Sequence, residues 1–131
     1  MKKIAALAGS LLIAGLVSSP ALAQGQGGGR GRGFTEQGGE ALYKNICQGC
    51  HMPNAQGGVG AGMYPALAKN PKLEVAGYPI SVVVNGQKAM PAFGPMLSDQ
   101  QIADVINYVR THFGNNYKDA VKPADVKAAR P

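Results

Sequence analysis

The sequence predicts an all-α domain, on three observations. Apolar residues recur at helical spacing in two well-separated segments, residues 39–46 and 102–113. The second segment is bracketed by a helix-start and a helix-stop signal. The one β-branched run, Ile80-Ser81-Val82-Val83-Val84, has no partner of similar quality with which to build a sheet.

The amino terminus of the 131-residue chain reads as an export signal over residues 1–23. Lys2 and Lys3 form its basic part, residues 4–17 are largely apolar, and Ala21-Leu22-Ala23 is a small-residue cleavage site. The apolar run is too short to span a bilayer comfortably, so no stable membrane span is expected. An uncleaved amino-terminal anchor is the alternative. Cleavage after Ala23 leaves residues 24–131, enough for one domain with a modest core. Of these, residues 24–33 (Gln-Gly-Gln-Gly-Gly-Gly-Arg-Gly-Arg-Gly) form a flexible glycine- and arginine-rich leader that has no apolar face to bury.

A domain over residues 34–116 follows. Gly39, Leu42, Tyr43 and Ile46 obey the i, i+3, i+4, i+7 rule of one helix face and run directly into Cys47. Asn70-Pro71-Lys72-Leu73-Glu74 and residues 79–84 are short helical candidates; for the latter Pro79 suits a helix start and Gly86 a stop. The clearest element is a helix over residues 99–113, with Ile102, Val105, Ile106, Val109 and Phe113 on one face. Ser98 and Gln101 form its capping box, Asp99 and Asp104 sit toward its positive end, Arg110 and His112 toward its negative end, and Gly114 stops it. The tail, residues 117–131, alternates charged and small residues without periodicity and is expected to be a loosely packed strap.

Thirteen Lys and Arg against seven Asp and Glu give a formal charge of +6, part of which leaves with Lys2 and Lys3. The remainder is too small and dispersed for a nucleic-acid partner, and the lack of tryptophan argues against base-stacking platforms.

Cys47-Gln48-Gly49-Cys50-His51 carries the chemistry. The C-x-x-C-H spacing is that of covalent haem attachment: two thiols three residues apart add across two vinyl groups, and the next imidazole lies beneath the iron. With two cysteines in the chain a four-thiolate zinc site is impossible, and a Cys2His2 site would need the distant His112. A thioredoxin-like pair expects a strand–helix setting, where this chain has Gly57-Gly58-Val59-Gly60-Ala61-Gly62. A Cys47–Cys50 disulfide is the bland alternative. Export to an oxidising compartment leaves two such thiols liable to pair unless something consumes them, and thioether bonds do so.

His51 leaves a sixth iron position to fill. Met90, in Lys88-Ala89-Met90-Pro91-Ala92-Phe93-Gly94, is the candidate, because Pro91 and the nearby glycine favour an extended loop that directs a side chain inward. Met96 is its rival, Met52 adjoins His51 and belongs to the wrong face, and Met63 lies in the glycine loop. The other ring nitrogen of His51 requires an acceptor, for which the Pro65 carbonyl is chosen; a plain turn residue is the alternative for Pro65. Lys44, Lys69 and Lys88 are either a ring that steers an acidic partner to the haem edge or ordinary solvated lysines.

With these motifs in this order, together with Tyr64-Pro65-Ala66-Leu67-Ala68 and the amphipathic segment 97–109, residues 34–116 resemble the class I, mono-haem cytochromes c of bacteria. The resemblance implies a cytochrome c fold, with amino- and carboxy-terminal helices crossing and short helices and loops wrapping one haem. Gly39 and Tyr43 would meet Val105 and Tyr108 at the crossing. It implies one covalent haem c and its iron, with Cys47 and Cys50 as thioether anchors, His51 and Met90 as iron ligands and Pro65 as carbonyl donor to His51. Residues 81–116 also look like cytochrome modules that accept electrons from periplasmic dehydrogenases. The expected function is that of a monomeric, non-enzymatic electron carrier of the bacterial periplasm, between a dehydrogenase donor and an oxidase or other cytochrome acceptor. The alternatives are an electron-accepting subunit of a periplasmic dehydrogenase complex, or a haem sensor or enzyme with a displaceable methionine.

Overall fold

The computed structural model describes residues 33–59 and 62–131; the signal segment and all of the leader except Gly33 lie outside the described residues. Helical structure dominates. A continuous helical stretch over residues 39–51 comprises α1 (Gly39–Leu42), a π-helical turn (Tyr43–Cys47) and α2 (Gln48–His51). A two-stranded antiparallel hairpin follows, β1 (Gly58–Val59) with β2 (Met63–Tyr64), in the register Gly58↔Tyr64 and Val59↔Met63. Then come a 3₁₀ turn (Pro71–Leu73), α3 (Gly77–Asn85), α4 (Asp99–Thr111) and α5 (Pro123–Ala128). Among the described residues, no helix is long and apolar enough to cross a membrane.

α1 and α4 cross at Gly39. A Cβ there would collide with the Asp104 carbonyl and lie 2.5 Å from the Tyr108 Cβ, so only glycine permits the approach. Asp104 and Tyr108 are therefore its nearest neighbours, while Val105 is buried alongside. Tyr43 extends the contact, its ring 5.8 Å from Tyr108 and 4.8 Å from Phe113. The Gln101 amide secures the incoming chain by donating to the Phe34 and Glu36 carbonyls at 2.7 and 3.0 Å.

The capping box of α4 forms as expected: Ser98 Oγ accepts from Gln101 N at 3.2 Å, and the Gln101 side chain accepts from Ser98 N at 2.9 Å. The helix ends at Thr111, two residues early, because His112 is extended and Phe113 adopts φ 56°, which turns the Phe113 ring back onto Tyr43. The β-branched run is helical in α3, since Pro79 falls in the first turn, where no N–H is needed, and Val84 and Ile80 find the core.

The tail is not a loose strap. Val121 is 5% exposed and Val126 fully buried, α5 packs on α3 and α4, and Asn107 grips Val121 through both its N–H and its carbonyl, at 2.8 and 2.9 Å. Two apolar anchors five residues apart make no helical repeat, which is why periodicity misses them.

Candidate haem-binding site

Cys47, Cys50 and His51 stand at i, i+3 and i+4 of one helical stretch and so share a face. The π turn ending at Cys47 shifts the helical phase just before this face, a device common at functional sites. Cys47 and Cys50 are not joined to each other; Cys47 is half-buried and Cys50 exposed. Burial pushes the Cys47 thiol up to about 12, with the neighbouring Cys50 adding to the shift.

The helix stops immediately after His51. Met52 takes φ 67°, and its carbonyl is held at 2.7 Å by the Tyr43 hydroxyl. Burial of Tyr43 raises its phenol to about 12, with smaller contributions from Cys47 and Tyr108, so it stays a neutral donor; packing and this one bond are its work. The chain then folds back behind the imidazole. Ala55, fully buried at φ 60°, offers its carbonyl to both Leu67 N and Ala68 N at 2.8 and 2.9 Å. Gly57, at φ +67°, lets the β2 end approach so closely that a Cβ would collide with the Tyr64 carbonyl.

These ties bring Pro65 to the back of His51, where the Pro65 carbonyl lies 3.0 Å from Nδ1 of the imidazole. A carbonyl can only accept, so Nδ1 carries the proton and the lone pair of the neutral ring resides on Nε2. His51 is 8% exposed. A buried imidazole with a fixed tautomer and two cysteines on the same helix face, not joined to each other, are the donors that covalent attachment of an iron porphyrin requires. The residues present fit the group.

Met90 sits half-buried in a tight backbone bridge: Gln87 N donates to the Met90 carbonyl at 3.0 Å, and Met90 N to the Gln87 carbonyl at 2.9 Å. Lys88 closes this turn at φ 54°. Beyond Pro91 the segment lies along α3, with Phe93 N and Gly94 N donating to the Val83 and Val84 carbonyls at 2.9 and 3.1 Å. Met96 is also half-buried, in the turn where its N–H meets the Phe93 carbonyl at 2.9 Å. Of the three lysines, Lys44 is engaged with Glu40 at 2.6 Å, Lys69 is exposed beside Gly114, and Lys88 is exposed two residues from Met90.

Three supporting residues escape sequence reasoning. Asn115, 6% exposed, donates to the Leu67 and Val109 carbonyls at 2.8 Å and accepts from Asn70 N at 2.9 Å, which ties the Pro65 loop to the end of α4. Arg110 is fully buried and donates to the Leu73, Glu74 and Asp119 carbonyls and the Asp119 carboxylate. Arg130 binds the Gly94 and Leu97 carbonyls and Asp99. The only available signal is a polar residue flanking an apolar stripe, which does not reveal its partner.

Comparison with known proteins identifies the family. The family model described as cytochrome c oxidase, cbb3-type, subunit III matches residues 35–109. The cytochrome c subunit of the quinone alcohol dehydrogenase of Gluconacetobacter polyoxogenes is 39% identical over 106 residues, covering 70% of this chain and 22% of that protein. The gluconate 2-dehydrogenase cytochrome c subunit of Pantoea cypripedii is 33% identical over 115 residues, 76% of this chain and 25% of that protein. The chain thus spans about a quarter or less of these subunits' length. Cytochrome c6 of Bumilleriopsis filiformis is 41% identical over 76 residues, 54% of this chain and 84% of that protein. The chain belongs to the cytochrome c family that this model describes, as a mono-haem cytochrome c carrying one covalent haem c with its iron.

Proposed function

We propose that the chain is a one-electron carrier of the bacterial periplasm, in which Cys47 and Cys50 anchor the haem, His51 is the proximal iron ligand and Met90 the distal one. When bound, the haem supplies a ferric/ferrous couple. The observation that carries the assignment is the Nδ1–Pro65 hydrogen bond, because it fixes the ring of His51 and leaves the Nε2 lone pair free. Pro65 serves as the carbonyl acceptor that sets this orientation. Met90 contributes a soft, neutral thioether, which favours the reduced ion and raises the potential as His/Met ligation does generally. His51 and Met90 would hold the iron between them, and a haem so held would supply outer-sphere electron transfer.

A second reading has its own support: the similarity to cytochrome c subunits of alcohol and gluconate dehydrogenases favours a donor of that class, met either by collision or in a complex. Co-migration of the native protein with a dehydrogenase would select the complex; migration as a monomer selects the free carrier.

The ligand assignment is tested on correctly matured protein. Mass spectrometry should find one haem on the peptide containing Cys47 and Cys50, and the oxidised protein should show the thioether-to-iron charge-transfer band. Met90→Ala should abolish that band while Met96→Ala retains it; a band that survives Met90→Ala refutes Met90.

A further inference from the structure

The geometry points to Arg130 as a positioning residue for the methionine loop: from the end of the tail it fixes the segment that follows Met90. The inference rests on the reading of Met90 as distal ligand and goes beyond it by assigning the carboxy-terminal tail a role at the iron.

Residues 87–97 leave α3, make the Met90 bridge and run into the α4 cap. On one side they are fastened to α3 through the Val83 and Val84 carbonyls. At Gly94 the approach is so close that a Cβ would lie 2.7 Å from the Val84 carbonyl. The Gly94 and Leu97 carbonyls are both taken by a single guanidinium. Arg130 Nη1 donates to the Gly94 carbonyl at 2.6 Å, Nη2 to the Leu97 carbonyl at 2.9 Å, and Nε to Asp99 Oδ1 at 2.5 Å. One planar fork thus spans two carbonyls of the methionine loop and the first residue of α4, a geometry that a lysine cannot reproduce. Arg130 is itself held by the tail. Asn107 grips Val121, Val126 is fully buried, and the Asp125 carboxylate caps α5 by accepting from Lys122 N at 2.8 Å.

A ligand on a loop leaves its metal as often as the loop opens. An external base binds in proportion to that open fraction, so its apparent affinity reports the opening. Arg130, by adding charge-assisted bonds that exist only when residues 94–97 are in place, suppresses the open state.

The test is imidazole binding to the oxidised holoprotein, followed by the visible spectrum. Arg130→Ala should tighten imidazole at least tenfold and weaken the thioether-to-iron band. Arg130→Lys retains the charge and can still reach Asp99, but not both carbonyls; it should tighten imidazole at least threefold, and it keeps the test open if the alanine variant does not fold. Asp119→Asn loosens the tail at its other end, away from the methionine loop, and should leave imidazole affinity unchanged while lowering the unfolding midpoint. Wild-type imidazole affinity in a folded Arg130 variant, or equal tightening by Asp119→Asn, overturns the positioning role. Met90→Ala separates the two failures: loss of the band with an unchanged Arg130 variant leaves Met90 standing and removes Arg130, whereas a persistent band removes both.

Discussion

Arg110 illustrates what a single side chain decides in this fold. Its guanidinium is fully buried, yet its one carboxylate partner, Asp119, has a side chain 70% exposed, so most of the compensation for the buried charge comes from the backbone carbonyls of Leu73, Glu74 and Asp119. Truncation leaves the buried Leu73 carbonyl unpaired and opens a gap where the guanidinium packed, and Arg110→Ala is expected to cost about 1–3 kcal/mol in chemical denaturation. The hydrogen bond and charge of Arg110 hold the Asp119 carboxyl below its ordinary value of 3.8. The folded chain therefore binds fewer protons at this site than the unfolded chain. The stabilisation is complete above the unfolded value and disappears as pH falls through the folded one. Asp119→Asn should lower stability at neutral pH and flatten the loss of stability on acidification below about pH 4; an acid limb as steep as that of the wild type would show that Asp119 does not contribute. Sequence reasoning assigned Arg110 to the helix dipole because i, i+4 neighbours are visible in a sequence, whereas Leu73 and Asp119 meet it only after the chain has folded.

Among the elements, legibility follows the number of local signals that agree. α4 has a four-position apolar stripe, Ile102, Val105, Ile106 and Val109, and a capping box, and its observed start coincides with the expected one. The cap is accordingly a local quantity: Ser98→Ala should cost about 1 kcal/mol, read as a lowered unfolding midpoint with no change in the visible spectrum. The helix over residues 39–51 was legible as a helix but not as one with a π turn, since that turn alters the phase by one residue without altering composition. α3 reconciles opposing signals, with β-branched propensity yielding to tertiary burial of Ile80 and Val84. In α5 the start signals were present, Pro123 at the first position and Asp125 at the third, but six residues are too few for an apolar period. Within the site, Cys47, Cys50 and His51 were legible because attachment chemistry fixes their spacing along the chain. Met90, the proposed distal ligand, stands out less, because such a ligand is constrained only in space, and Met96 shares its chemistry and its partial burial.

At the scale of the whole molecule, the α1–α4 crossing and the tail both pack on α4. The crossing, through Gly39 and Tyr43, sets the helix that presents Cys47, Cys50 and His51. The tail runs from the Arg110–Asp119 pair across α4 to Arg130, and so links the end of the last long helix to the segment bearing Met90. Removing residues 117–131 would uncover the apolar surface beneath Val121 and Val126, whose burial is worth about 1.5–3 kcal/mol per side chain. It would also strip the Arg110 guanidinium of its Asp119 carboxylate and carbonyl. A holoprotein truncated after Asn116 should therefore lose at least about 3 kcal/mol of unfolding free energy in guanidinium chloride. The haem remains attached through its thioethers, so the truncated protein can be denatured and followed by the same absorption as the full chain. Stability equal to that of the full chain would return the tail to the status of a loose strap and leave the crossing helices as the sole frame of the site.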